Sequence, residues 1–136
     1  MGDSDTEKQV EQAFEQIFDA LHVADAEKLA EVLSDRPGSL HIGSDPGESW
    51  TKSQFLDMIR EAMSAGGGQI RAEHDKVNVQ VAGDVAWIDS TGRFINNEDA
   101  RRDIRLTCVF VREDGRWKAT QTHVSIGVPN DAIFEA

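Results

Sequence analysis

Asp114-Gly115-Arg116-Trp117-Lys118-Ala119-Thr120-Gln121-Thr122-His123-Val124-Ser125 is the stretch on which the reading of this chain turns. A turn dipeptide feeds a run in which Trp117, Ala119, Gln121, His123 and Ser125 fall on one face, because side chains alternate along a strand. If that face looks inward, an apolar floor gives way to a polar rim with a titratable imidazole. Such a gradient describes the wall of a pocket.

Working back from this strand, the second half reads as four segments, near 69–82, 85–96, 101–112 and 116–127. Gly83-Asp84, Asn96-Asn97-Glu98-Asp99 and Glu113-Asp114-Gly115 separate them as turn signals at hairpin spacing. The first half is helical. Val10, Phe14, Ile17 and Leu21 recur at helical spacing, with Glu7, Glu11 and Glu15 on other faces. Asp25 is a suitable N-cap for a short second helix burying Leu29, Val32 and Leu33, which Arg36-Pro37-Gly38 ends. Leu40-His41-Ile42 reads as a brief strand before the turn-rich Gly43-Ser44-Asp45-Pro46-Gly47-Glu48. Thr51-x-x-Gln54 has capping-box form and opens a third helix with Phe55, Leu56, Ile59, Ala62 and Met63 apolar. Gly66-Gly67-Gly68 stops it. Helices followed by an antiparallel meander give an α+β fold, with three N-terminal helices on one face of a strongly curved sheet. Such a sheet leaves a cone-shaped cavity at its open end.

Composition narrows the function classes. At 136 residues the chain is read as one domain, 1–136, able to bury a real core. Residues 1–64 carry 14 acidic and 5 basic side chains, so most of the net charge of -11 lies in the helical half. That surface repels phosphate backbones and anionic lipid, so neither a nucleic-acid nor a membrane partner is expected. No apolar run reaches bilayer-spanning length, and the acidic N-terminus is unlike a signal peptide. One cysteine, Cys108, forms no internal disulfide, which points to a reducing, cytoplasmic setting. Four scattered histidines without HxH or HExxH spacing predict no metal, and no motif calls for another cofactor.

The last hairpin decides what faces His123. A two-residue Asp-Gly turn pairs Arg116 with Glu113 and sets His123 opposite Leu106. A three-residue Glu-Asp-Gly loop pairs Arg116 with Arg112 and sets His123 opposite Arg105. The second is preferred, because Thr107 then faces Gln121 and the inner face grades smoothly from apolar to polar. On this reading Arg105, Thr107, Val109 and Val111 point inward, and Ile104, Leu106, Cys108, Phe110 and Val124 form an outer face more apolar than solvent requires.

The candidate catalytic residues follow. His123 is a general acid or base whose reference pKa lies near working pH, or a satisfied histidine that only shapes the cavity. Arg105 is a bidentate partner for a carboxylate or enolate oxygen, or half of a structural ion pair. Asp89 is a base if it lies in an apolar pocket and inert if it faces solvent. Trp50, Phe55 and Trp87 are candidate walls for a flat apolar ligand, with Thr107, Gln121 and Ser125 as polar contacts. His41 and His74 are weaker candidates. Cys108 reads as a small buried hydrophobe.

The element order and two local patterns resemble the SnoaL-like branch of the nuclear transport factor 2-like superfamily. The patterns are Ile42-Gly43-Ser44-Asp45-Pro46-Gly47-Glu48-Ser49-Trp50, and Asp114-Gly115-Arg116-Trp117-Lys118 continuing through His123-Val124-Ser125-Ile126-Gly127-Val128-Pro129-Asn130. The last strand is also similar to that of the calcium/calmodulin-dependent kinase II association domain. The resemblance implies a cystatin-like, cone-shaped α+β fold and nearly spans the chain. It leaves the activity open, since the superfamily includes isomerases, cyclases, dehydratases and oligomerisation modules. Its ketosteroid isomerases use a Tyr oxyanion donor, and this chain has no Tyr. The expected function is therefore binding of a small apolar or aromatic molecule, with acid/base lyase or isomerase chemistry as its catalytic form. The alternative is a non-catalytic association module. A homodimer through the outer sheet face is expected under either, with Ile133 and Phe134 closing the pocket mouth or packing at the dimer edge.

Overall fold

The computed structural model describes residues 2–65 and 70–135. Helices α1 (Gly2–His22), α2 (Ala26–Val32) and α3 (Lys52–Ser64) accompany a sheet of β1 (Leu40–Ile42), β2 (Ser49–Trp50), β3 (Ile70–His74), β4 (Asn78–Ala82), β5 (Val85–Asn96), β6 (Arg101–Glu113) and β7 (Arg116–Ser125). A short 3-10 turn, Asn130–Ala132, follows. The expected stop at Gly66-Gly67-Gly68 lies outside the described residues. Strand order is β2-β1-β7-β6-β5-β3, with β4 also on β5. All pairings are antiparallel except β1 with β7.

The helices form where local chemistry starts them. Asp25 accepts a hydrogen bond from the Lys28 N–H at 3.0 Å, and Thr51 with Gln54 makes the reciprocal capping box. Val10, Phe14, Ile17, Leu29, Phe55, Leu56 and Ile59 are buried against the sheet, whereas Met63 stands half in solvent. Each fully buried large side chain contributes about 1.5–3 kcal/mol over its exposed state.

Within the expected segment 69–82, the described residues 70–82 hold two strands laid end to end along β5. Between them, Ser90 Oγ donates to the Asp75 and Lys76 carbonyls, both 3.2 Å away. At Gly92 a Cβ, which would stand off the sheet face, would meet the Glu73 carbonyl oxygen at 2.2 Å. The backbone of β3 therefore rises out of the plane there, and the sheet bends over the helices. Only glycine leaves room for that approach.

The β6–β7 hairpin has the turn of the two-residue alternative, and it corrects the residue opposite His123 in both predicted registers. Asp114 and Gly115 have φ of 52° and 77°, the left-handed pair of a two-residue I′ turn, so Glu113 pairs with Arg116. Between Val109 and Phe110 the register then shifts by one, because Thr120 is inserted as a β-bulge. His123 therefore lies opposite Thr107, not Leu106 or Arg105. The bulge also reverses the facing. Trp117 and Ala119 are buried before it, but Gln121 and His123 are exposed after it. On β6 the inward set is Ile104, Leu106, Cys108 and Phe110, the reverse of the preferred reading.

Replacing Gly92 by alanine should force β3 off β5 and cost about 1–3 kcal/mol, as overpacking does. Thermal unfolding checks this: a drop of several degrees is expected, and a variant melting with wild type would contradict the close approach.

Candidate functional site

Between the concave sheet face and the helices lies a cavity of about 210 Å³. Phe14, Ile17, Phe18 and Leu21 line it from α1, and Phe55 and Met58 from α3. Ile104, Leu106 and Cys108 supply its sheet wall, with Phe94 and Val124 beside them. Trp50 and Phe55 close one side as a stacked pair, 5.5 Å between centroids and 10° between planes. The lining is almost wholly apolar.

His41 is its deeply buried polar residue. Its two apolar neighbours on β1 point the other way by strand alternation, so the imidazole turns inward and is 1% exposed. Parallel pairing sets His41 beside Thr122, and Nδ1 lies 2.9 Å from the Thr122 hydroxyl. The ring packs on Phe55 at 5.2 Å. Nε2 is buried and has no hydrogen-bond partner among the described residues. Burial, then the charge of Lys52, holds the imidazole pKa down to about 4, so the ring is neutral at physiological pH. An unmatched buried donor or acceptor costs about 1–3 kcal/mol, which a bound polar group would recover.

Glu48 marks the rim. The β1–β2 hairpin closes with Gly43 N–H donating to the Glu48 carbonyl at 2.9 Å. The Glu48 carboxylate folds back and accepts the Asp45 N–H at 3.0 Å. Its Oε1 occupies the place a Gly43 Cβ would take, 2.3 Å away, so glycine at 43 admits the carboxylate there.

Of the residues singled out from sequence, Trp50 and Phe55 line the cavity, and Thr107 and His123 reach its edge from strands whose neighbours face inward. Arg105, Asp89, Trp87, Gln121 and Ser125 do not line it. They share the outer face with Thr107 and His123, because the bulge and the two-residue turn set β7 and β6 with opposite facing to that expected. Asp89, Thr107 and His123 form one cross-strand row, Trp87, Val109 and Gln121 the next, and Thr91, Arg105 and Ser125 a third. Asp89 accepts from Asn78 Nδ2 at 3.0 Å, and Arg105 Nε donates to Ser125 Oγ at 3.2 Å. His74 lies elsewhere, against Phe14 and Phe18 with Glu15 beside its Nε2.

Sequence reasoning underrated His41 and missed Thr122 and Glu48. A histidine between two apolar strand residues, inward when they are outward, was the available signal for His41. Burial raises the Cys108 thiol pKa far above its usual range, which leaves it no thiolate for nucleophilic work. Among the described residues no three His, Cys, Asp or Glu side chains converge as a metal site would need.

The depressed His41 pKa has a sign. Between about pH 6.5 and about pH 4 the unfolded chain takes up a proton that folded His41 refuses, so this contribution to stability is lost as pH falls through that window. Urea unfolding at pH 7 and pH 5 should show His41 accounting for about 2 kcal/mol of acid destabilisation. His41→Gln should lose correspondingly less between the two pH values; equal losses would contradict a neutral buried imidazole.

Comparisons with other proteins agree with this architecture. An NTF2-like protein of unknown function from Pseudomonas putida KT2440 superposes with a TM-score of 0.80 at 19% identity, over 95% of this chain and 92% of that one. A proposed dehydratase of the NTF2-like family from Streptomyces avermitilis gives 0.76 at 21% identity, over 95% and 100%. An NTF2-like superfamily protein from Salmonella enterica serovar Typhimurium gives 0.78 at 14% identity, over 98% of both. These identities establish the shared fold alone. No curated protein matches the sequence. The SnoaL-like domain family matches residues 10–129, nearly the whole chain, and the protein belongs to that family.

Proposed function

We propose that this protein binds a compact, mainly apolar small molecule in the cavity beneath the sheet, held through one polar group on His41. The observation that carries the reading is the unpartnered His41 Nε2 in an otherwise apolar chamber. A cavity of about 150 Å³ accepts benzene, so this one suits a single ring with a short tail. Binding is favoured over turnover. A general base works best with a pKa near the operating pH, and His41 sits well below it. Lyase or isomerase chemistry would need a second proton-carrying group beside the ligand. Of the residues first considered for that work, Arg105 and Asp89 do not line the cavity, and His123 reaches only its edge.

A second reading concerns that outer face and is compatible with the first. Trp87 is 43% exposed and Val85 39%, flanked by half-buried Val109 and Val111 in the middle of the sheet. An exposed tryptophan among valines, rimmed by Asp89, Arg105, Gln121 and His123, has the composition of an interface anchor with a polar border. A second copy of the chain is its proposed partner, through a set of residues different from that expected. A cytoplasmic setting suits the lone, buried Cys108. Among the described residues no helix is long and apolar enough to cross a membrane.

Ligand binding should raise the melting temperature of wild type with single-ring alcohols or ketones, and Leu106→Trp, which fills the chamber, should abolish the shift while remaining folded. Equal shifts in both proteins would place binding outside the cavity. Light scattering at micromolar concentration should give a dimer for wild type and a monomer for Trp87→Glu. A monomeric wild type would remove the second reading and leave the first untouched.

A further inference from the structure

The charges around the cavity carry the reading of a ligand site one step further. The body of any occupant is fixed as apolar by the phenylalanines, Trp50 and the sheet wall. Its polar group must suit what the chamber offers, and among the described lining residues the one carboxylate is Glu48. Glu48 enters no ion pair among the described residues. The hairpin places it rather than leaving it free: the Asp45 N–H holds one oxygen, and the missing Gly43 side chain makes the space.

Among the described residues no lysine or arginine opposes it in the lining. Lys52, the cation nearest His41 in effect, is committed to Asp35 at 2.8 Å and to the Leu33 carbonyl at 2.9 Å. The arginines of β6 that could have received an anion, Arg101, Arg102 and Arg105, border a different surface hollow. At physiological pH the buried imidazole adds no positive charge. An anionic ligand would thus meet a carboxylate and an apolar wall, with no lysine or arginine among the described lining residues to neutralise it.

We propose that the cavity selects a small apolar primary amine, its ammonium group held by the Glu48 carboxylate at the rim and its apolar body seated against Trp50, Phe55 and the α1 phenylalanines. His41 Nε2 then meets a second polar atom where the ligand has one, and Thr122 fixes the ring that presents it. This proposal rests on the reading that the cavity holds a ligand and adds the sign of the ligand's charge. A charge-assisted hydrogen bond in a partly enclosed, apolar setting is about twice as strong as a neutral one, and the carboxylate is already oriented.

The test uses three probes on one skeleton, near pH 8, by isothermal calorimetry on the full chain: 2-phenylethylamine, 2-phenylethanol and phenylacetate. The amine should bind roughly tenfold more tightly than the alcohol, and phenylacetate most weakly. Glu48→Gln keeps an acceptor for the Asp45 N–H but removes the charge, so it should bring the amine level with the alcohol and leave the alcohol unchanged. Gly43→Ala keeps the charge but takes the carboxylate's place, and it should reduce the amine preference in the same way. If the alcohol binds and the amine binds no better, or if the preference survives in Glu48→Gln, the amine proposal falls and the cavity reading stands. If none of the three binds, both fall together.

Discussion

One inserted residue, Thr120, governs how this molecule divides its surface. A strand that alternates without interruption keeps each side chain on the face its parity assigns, from end to end. The bulge between Ala119 and Gln121 breaks that rule midway along β7. Before it, Trp117 and Ala119 face the core; beyond it, Thr122 and Val124 take the inward positions and His123 is turned out. The bulge is held on both sides by neighbouring chain. Ser34 N–H donates to the Ala119 carbonyl at 2.8 Å, and the Thr120 hydroxyl meets Ser39 Oγ at 2.8 Å. The segment leaving α2 thus packs where β7 changes face, and the same segment leads directly into β1.

That connection is what creates the polar point of the cavity. Since β1 adds in parallel to the far half of β7, its register follows the bulged strand: His41 lies beside Thr122, and both face inward. Without the shift, His41 would lie beside an outward-facing threonine and its Nδ1 would lose its 2.9 Å partner. The pairing costs the imidazole its charge, because burial at 1% exposure outweighs any gain from ionisation. What remains is one orientated, neutral nitrogen in a wall of carbon.

Most of the fold was legible in the residues because its signals are local. The spacing of Val10, Phe14 and Ile17, the Thr51–Gln54 capping box and the Asp25 cap each need only a few neighbours, and each forms as read. The candidate site was less legible because it depends on accumulated register. The Asp-Gly turn and the preferred three-residue loop differ by one residue, and a bulge has no fixed composition to announce it. Together they turned Arg105, Gln121 and Ser125 to the outer face. They brought in Cys108 and Thr122, which alternation had placed outside. The split of residues 69–82 escaped for a similar reason: Ser90 and Gly92, which manage the bend, are on the partner strand. Trp50 and Phe55 were found because a short hairpin and a capped helix fix them locally.

The outcome is a thin sheet whose faces have opposite character, and this bears on what each can recognise. The inner face is apolar, short of hydrogen-bonding groups and bordered by a carboxylate, so on the proposed reading its selectivity comes from shape and charge sign. The outer face presents Trp87 between rows that carry Asp89, Thr107 and His123 on one side and Val85 and Val111 on the other. On the proposed dimer reading, its selectivity comes from complementarity over an area. Both faces are built from the same strands, so a substitution on β6 that alters Leu106 or Cys108 acts on the chamber, and one at Arg105 or Val109 acts on the exposed surface. Alternation keeps the two tasks one residue apart in sequence and on opposite sides of the sheet. The cavity and the outer surface can therefore be altered separately, provided that the bulge at Thr120 keeps its place.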